Sequence, residues 1–461
     1  MKRKCVIALM AAMLFSTEIL FSVSSEWGAG IPAKAQDADQ YALMQYAAYE
    51  DHIEITACDS AATEVVVPSE IEGLPVTVIG DGAFSYCSAL TAVSLPDTVT
   101  DIGASAFAEC TALREIRIPE SVGNFGANAF ANTPWLMAQQ TEHPLVVVNQ
   151  ILISARTDLA EAVIPESVIG IGDAAFAQCT ALRAVTIPNS VIRIGSSAFF
   201  GCTGLTAVVI PDGVTHIGNA AFRQCTKLTV ATISDSVTAI GAEAFRDCAS
   251  LTAVSLPDGI SDIADYMFFG CTQLTEAILP DRLTRIGEFA FFECNALETI
   301  HIPVGVTSIG KNAFFQCTQF TAVTIPEGVS KLEAYIFFGC SQLEAVILPE
   351  SVVHISELAF VNCAADFTIH GYSGTAAETF ALEYGIPFQS IAAAGVKGDV
   401  NSDGIVTIAD VVLLSRYLAE DMTVLITPQG LAAGDCDGNN GITVDDNIRI
   451  LQYLVRKILK L

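Results

Sequence analysis

Apolar and polar positions along most of the chain repeat as one word. In residues 194–216, IGSSAFFGCTGLTAVVIPDGVTH, the apolar places are Ile194, Ala198, Phe199, Cys202, Leu205, Val208, Ile210 and Val214. The same places recur every 23 residues. Cysteine marks the period most plainly, at Cys87, Cys110, Cys179, Cys202, Cys225, Cys248, Cys271, Cys294, Cys317, Cys340 and Cys363. A phenylalanine stands three positions before each, from Phe84 to Phe360, and the one larger gap, 110 to 179, is three periods long. Self-similarity at a fixed short period predicts a solenoid whose units each bury their apolar face against a neighbour. Within a unit, Leu205, Val208 and Ile210 read as the inward face of a strand, with 206, 207 and 209 facing solvent. Pro211 and the Asp212-Gly213 pair end that strand and turn the chain. The Ile-Gly-x-x-Ala-Phe-x-x-Cys segment at 194–202 spaces its apolar residues as a helix would, which predicts a short helical or 3₁₀ turn on the other side. The expected class is therefore an α/β repeat solenoid of 23-residue units with a single parallel β-sheet on its concave face.

Three stretches depart from the word. Residues 131–160, ANTPWLMAQQTEHPLVVVNQILISARTDLA, keep the double period but lose a cysteine. Positions 146–155 predict a hairpin-like pair turning near Asn149-Gln150, with Trp135 plugging the interrupted core; a ligand platform is the alternative for that indole. Residues 41–78 alternate as strands do and predict an N-terminal cap, and the helical stretch 375–384 predicts a shield for the last repeat.

The composition shifts at Gly395. Residues 399–410, DVNSDGIVTIAD, and 435–446, DCDGNNGITVDD, start 36 residues apart. Each precedes an apolar helical pattern, Val411, Leu414, Tyr417 and Leu418 in one copy and Ile448, Leu451, Tyr453 and Leu454 in the other. Oxygen donors at places 1, 3, 5, 7, 9 and 12 of a 12-residue loop suit Ca²⁺, a hard cation that takes six to eight oxygens. In the first loop these are Asp399, Asn401, Asp403, the Ile405 carbonyl, Thr407 and Asp410, with Gly404 at the sharp turn. In the second they are Asp435, Asp437, Asn439, the Gly441 carbonyl, Thr443 and Asp446, with Asn440 at the turn, a residue that tolerates a left-handed backbone.

These residues carry two resemblances. The Leu-x-x-Val-x-Ile strand, the Pro134-Trp135-bearing insertion and the GYSGTAAETFALEYGIPF segment resemble the BspA-like class of bacterial leucine-rich repeats over about residues 50–391. GVKG in place of an entering helix, and Asp rather than Glu closing each loop, resemble a type I dockerin over about 396–461. The second resemblance implies a small all-α module, folded by two Ca²⁺ ions, that plugs into a cohesin domain on a scaffoldin or cell surface. It implies contacts at Ile408, Ala409, Ser415 and Arg416 in one copy, and at Val444, Asp445, Leu451 and Gln452 in the other. The two sets differ in chemistry, which leaves one or two binding modes open. Expected boundaries are a signal peptide at 1–35, an N-terminal cap at 36–78, repeats with the insertion and C-terminal cap at 79–391, and the dockerin at 396–461.

Charge narrows the partners. Lys plus Arg number 22 against 51 Asp plus Glu, a net charge of −29 that repels nucleic acid and anionic lipid. Lys2, Arg3 and Lys4, the apolar run to Val23 and the Ala33-Lys34-Ala35 site predict export; a retained membrane anchor is the alternative. Exported cysteines usually pair, yet an odd column of eleven among apolar neighbours predicts buried free thiols. The solvent-facing strand column, Ser94, Arg117, Thr186, Val209, Thr232, Ser255, Ile278, His301, Thr324 and Ile347, holds no aromatic residue for stacking sugar rings. A second column, Phe200, Arg223, Arg246, Phe269, Phe292, Phe315 and Phe338, is expected to pack into the core; exposed, it would mark an interaction surface. The six histidines have no metal-ligand spacing, and Asp97, Glu120, Asp212, Asp258, Glu327 and Glu350 recur as turn residues after proline. No catalytic motif stands out. The expectation is a secreted, non-catalytic interaction or adhesion protein whose solenoid binds a protein or polysaccharide and whose dockerin joins a cellulosome-type scaffold. A dockerin-borne polysaccharide-degrading enzyme, and an inhibitor or regulator of co-assembled enzymes, are the alternatives.

Overall fold

The computed structural model describes residues 43–391, 397–401, 406–419, 426, 431, 433–436 and 442–458; the expected leader lies outside them. Contacts divide the chain into two units, one holding 43–322, 332–343 and 356–364, the other 323–331, 344–355 and the residues from 365 onward. Among the described residues no helix is long and apolar enough to cross a membrane.

In the first unit each 23-residue word is one coil. Strand Ala207–Ile210 pairs in parallel with Val230–Ile233 in a register of one period, Val208 opposite Ala231 and Ile210 opposite Ile233. Leu205, Val208 and Ile210 are buried and 206, 207 and 209 exposed, as alternation requires. The residue after each strand accepts a turn-closing bond from three residues on, Val214 N to Pro211 O and Val237 N to Ser234 O, both at 3.1 Å.

The other side of the coil differs from the sequence expectation of a helical turn. The Ile-Gly position forms a second parallel ladder of two-residue strands, Arg193–Ile194 on His216–Ile217 and then on Ala239–Ile240. The Phe-x-x-Cys segment beyond it is a run of separate turns. Ser197 and Gly201 sit in the left-handed region at φ 54° and 70°. Alternate amides of this segment donate to the next coil, Ser197 N to Asn219 O at 2.8 Å and Phe199 N to Ala221 O at 2.7 Å. Amides spent between coils are lost to an α-helical ladder, which needs every one of them.

Two side-chain columns fill this unit. Phe176, Phe199, Phe222, Phe245 and Phe268 are fully buried, with successive ring centroids 4.8 to 5.8 Å apart and nearly parallel. Beside them the thiols from Cys202 to Cys271 donate to the carbonyl of the phenylalanine one coil back, Cys202 Sγ to Phe176 O at 3.1 Å and Cys248 Sγ to Phe222 O at 3.1 Å. The described cysteines are free thiols in this structure. Burial pushes Cys179 up to about 11 and Cys110 up to about 12, and holds Cys225 and Cys248 well above the ordinary thiol value.

The ends and the interruption follow the alternation read from sequence. At the N-terminal edge, Met44–Ala48 and Ile53–Cys58 form a hairpin whose second strand pairs in parallel with Leu74–Ile79. At the interruption, Leu145–Val148 and Ile151–Ala155 form the expected hairpin, and Asn149 and Gln150, at φ 49° and 66°, supply the two left-handed turn residues. A helix not foreseen there, α1 (Pro134–Glu142), is capped by Thr133, whose hydroxyl accepts from Leu136 N at 3.2 Å. Trp135 of α1 lies over Phe130, centroids 4.7 Å apart, as the expected plug. In the second unit, Thr368–Gly371 pairs in parallel with Ala345–Ile347 and with Phe388–Ser390. Helix α2 (Ala376–Tyr384) covers this end, buries Ala377, Phe380 and Ala381, and stops at left-handed Gly385.

Candidate functional site

The C-terminal residues build a small module around two helices, α3 (Ile408–Leu418) and α4 (Val444–Ile458). Val400, Val406, Val411, Leu414 and Ile450 are its buried core. Each helix starts the same way. Thr407 and Asp410 form a capping box, Asp410 Oδ2 accepting from Thr407 N at 2.7 Å. One 36-residue step later, Asp446 Oδ2 accepts from Thr443 N at 2.9 Å. The second carboxylate oxygen reaches back to the start of the loop, accepting from Asn401 N at 3.0 Å in the first copy and from Cys436 N at 2.8 Å in the second.

Asp399, Asp410 and Asp446 are buried. Carboxylates in an apolar core need compensation by hydrogen bonds and by positive charge. Asp410 uses three of about four lone-pair sites on Asn401 N, Thr407 N and Thr407 Oγ1, which leaves capacity toward the loop. Of the sequence-derived calcium ligands, Asp399, Asn401, Thr407, Asp410, Asp435, Thr443 and Asp446 are described, and Asp403, Ile405, Asp437, Asn439 and Gly441 lie outside the described residues. Among the described residues no three His, Cys, Asp or Glu side chains gather into a cluster.

All eight positions named for partner contact, Ile408, Ala409, Ser415, Arg416, Val444, Asp445, Leu451 and Gln452, are exposed on the two helices. The apolar face read for the second helix is corrected. Ile448, Leu451 and Tyr453 are exposed, and the packed face is Asp446, Asn447, Ile450 and Leu454. Asn447 turns inward because its amide donates to Ser415 Oγ at 2.5 Å. Val412 and Ile448, outside the contact positions named from sequence, are also exposed, at 51% and 43%. They stand one helical turn after Ile408 and Val444, and the 36-residue offset relating the two copies was the signal that could have found them.

On the solenoid, the outward strand column is exposed throughout except for half-buried Ser94. The second column is neither core nor free surface. Phe200, Arg223, Arg246, Phe269, Phe292, Phe315 and Phe338 are all half-buried. Phe269, Phe292 and Phe315 stack face to face at 4.5 Å, and Phe338 follows at 5.0 Å. Arg246 lies over Phe269 at 4.5 Å and pairs with Glu243, which also holds Arg223 at 2.5 Å. These rings spend their faces on one another, so the column is a self-stacked seam.

Coils of parallel strands followed by a capped helix pair define a repeat solenoid carrying a small helical module. The chain belongs to the BspA type leucine-rich repeat family. The model described as "BspA type Leucine rich repeat region" matches residues 63–143, 154–275 and 238–366, well over half the chain. Its one break falls on the hairpin after α1. A "Dockerin type I domain" matches 397–455. Among solved structures, the chain is similar to a leucine rich cell surface protein from Faecalibacterium prausnitzii A2-165, at 28% identity over 73% of this chain and 95% of that one, TM-score 0.40. It is similar to the T. pallidum leucine rich repeat protein at 26% identity over 60% of this chain and 88% of that one, TM-score 0.25. A leucine-rich repeat protein from Eubacterium ventriosum follows at 22% identity over 60% and 94%, TM-score 0.38. No curated protein matches the chain. Neither matched domain is a catalytic one. Type I dockerins are calcium-binding modules, and dockerins bind cohesins.

Proposed function

We propose that this chain is an exported, non-catalytic interaction protein, which the dockerin (396–461) docks onto a cohesin while the repeats (79–391, behind the 36–78 cap) present a ligand-binding surface. The observation that carries it is the doubled arrangement of the tail. Two helices share one small core, their loop carboxylates are buried at both starts, and their partner-facing positions stand exposed at matching places.

Two calcium ions are the expected complement, one per loop, and they supply the positive charge that buried carboxylates require. Asp399, Asn401, Asp403, Thr407 and Asp410, with the Ile405 carbonyl, would hold one; Asp435, Asp437, Asn439, Thr443 and Asp446, with the Gly441 carbonyl, the other. Asp410 and Asp446 then tie each loop to the first turn of its helix, so ordering the loops orders the docking face. Ile408 and Val444 supply the apolar anchors of that face, and Ser415, Arg416, Leu451 and Gln452 its rim.

Capture of the full chain by an immobilised type I cohesin in calcium tests the reading. The double variant Ile408→Asp/Val444→Asp should weaken capture at least tenfold. Each single variant should retain binding if the two copies dock interchangeably, and one alone should abolish it if a single mode is used. Absence of capture by type I cohesins in calcium, or capture by the double variant at full strength, refutes the reading.

A further inference from the structure

The insertion that interrupts the repeats also roofs part of their strand face. Strands Glu64–Val66, Ala92–Ser94 and Glu115–Arg117 lie side by side in parallel, Glu64 opposite Ala92 opposite Glu115, and Val66 opposite Ser94 opposite Arg117. Helix α1 overhangs them and closes one side of a cleft of about 590 Å³. Trp135 and Gln139, one helical turn apart on α1, both line it. That volume lies within the range of small-ligand sites.

The cleft gathers several polar and charged groups. Its floor presents two carboxylates, Glu64 and Glu115, beside a hydroxyl, Ser94, and two guanidiniums, Arg114 and Arg117. Arg117 is held in place, donating to Leu95 O at 2.6 Å and pairing with Asp97 at 2.8 Å. The wall adds one indole and one amide. Helix α1 is itself fixed, through Trp135 N to Leu113 O at 2.9 Å and Gln140 Nε2 to Ser154 Oγ at 3.0 Å.

We propose that this cleft is a binding site for a neutral oligosaccharide, in which a sugar ring lies on the Trp135 indole and its hydroxyls bond Glu115, Arg117 and Gln139. A sugar hydroxyl both donates and accepts, so it suits a floor that mixes carboxylate, guanidinium and amide. The C–H face of the ring suits the indole. Three other occupants fit less well. An extended peptide binds by adding to an open sheet edge, and the middle strand of this floor, Ala92–Ser94, is paired on both sides. A lipid needs an enclosed apolar cavity, and this one is open and lined by charge. Nucleic acid is repelled by the net charge of −29. The inference deepens the reading of the repeats as a ligand-binding surface and rests on it.

The chain has two tryptophans, Trp27 and Trp135, so Trp27→Phe in the full chain leaves Trp135 as the sole indole. Titrating that protein with cellohexaose, xylohexaose and maltohexaose should change its emission saturably for at least one of them. Glu115→Ala, at an exposed position, and Gln139→Ala, at a half-buried one, should each raise the apparent Kd several-fold and together at least tenfold, with the circular dichroism unchanged. Silence to all three sugars overturns the proposal, as does saturable binding that both substitutions leave intact. Cohesin capture by the same preparation separates the two readings: capture without a sugar response sinks the cleft alone, and a sugar response without capture sinks the docking alone.

Discussion

Truncating one ring in the buried phenylalanine column should cost more than truncating one in the half-buried seam. Phe245 is fully buried between Phe222 and Phe268, centroids 5.4 and 5.8 Å away. Phe245→Ala leaves a cavity that the coils on both sides, pinned by their inter-coil amides, cannot collapse to fill. Fully buried Phe→Ala changes cost about 3–5 kcal/mol. Phe292 is stacked more closely, at 4.5 Å on both sides, yet only half-buried. Losing about half a side chain's burial, near 1 kcal/mol, and two ring contacts of roughly 0.5–1 kcal/mol each gives about 2–3 kcal/mol. Native-state hydrogen exchange reads both, because units in a repeat array contact only their neighbours. The reporters are Phe222 N, bonded to Ala244 O at 2.8 Å, and Phe268 N, bonded to Ala290 O at 2.8 Å. At about 1.4 kcal/mol per tenfold, Phe245→Ala should speed their exchange roughly a hundredfold or more. Exchange in strand Glu64–Val66, remote in the array, should not change. If Phe292→Ala matched or exceeded Phe245→Ala at its own neighbouring amides, burial would not be what holds the coils together.

Two further outcomes follow from the same contacts. Burial raises the thiol column, with Cys179 at about 11 and Cys110 at about 12 against an ordinary 9.0, so the folded chain keeps protons that the unfolded chain releases. Thermal stability should be flat below pH 9 and fall as pH rises through 11, while a thiol-specific reagent should label the column only on unfolding; thiols that titrate near 9 in an intact coil would contradict this. Asp410→Ala removes the acceptor of Asn401 N and Thr407 N, and each stranded donor costs about 1–3 kcal/mol. Helix α3 should then lose exchange protection while the melting of the repeats is unchanged, and an α3 as protected as before would contradict the tie between loop and helix.

The coil was legible because its signal is repeated: Leu205, Val208 and Ile210 alternate in a period that recurs down the chain. The second ladder was not, since two residues such as Arg193 and Ile194 are too few to display alternation. Helix-like spacing of Ile194, Ala198 and Cys202 misled for a related reason, because the left-handed backbone at Ser197 and Gly201 is invisible in apolar periodicity. Helix α1 had a local signature, Thr133 as N-cap followed by Pro134 in the first turn, but no buried apolar stripe to reinforce it. In the tail the starts of both helices were readable from Thr407-x-x-Asp410 and Thr443-x-x-Asp446. The face of α4 was not, because a buried Asn447 that bonds Ser415 looks polar in sequence. The half-buried state of the phenylalanine seam depends on how far neighbouring rings cover one another, which spacing alone does not carry.

Hydrogen exchange of the full chain in calcium and in excess EGTA tests most directly whether the tail is organised by metal apart from the repeats. The account predicts that EGTA removes protection from Ile408–Leu418 and Val444–Ile458 while the ladder amides of Ala207–Ile210 and Val230–Ile233 exchange as slowly as before. Helices equally protected in both conditions, or coils that open together with them, would contradict it.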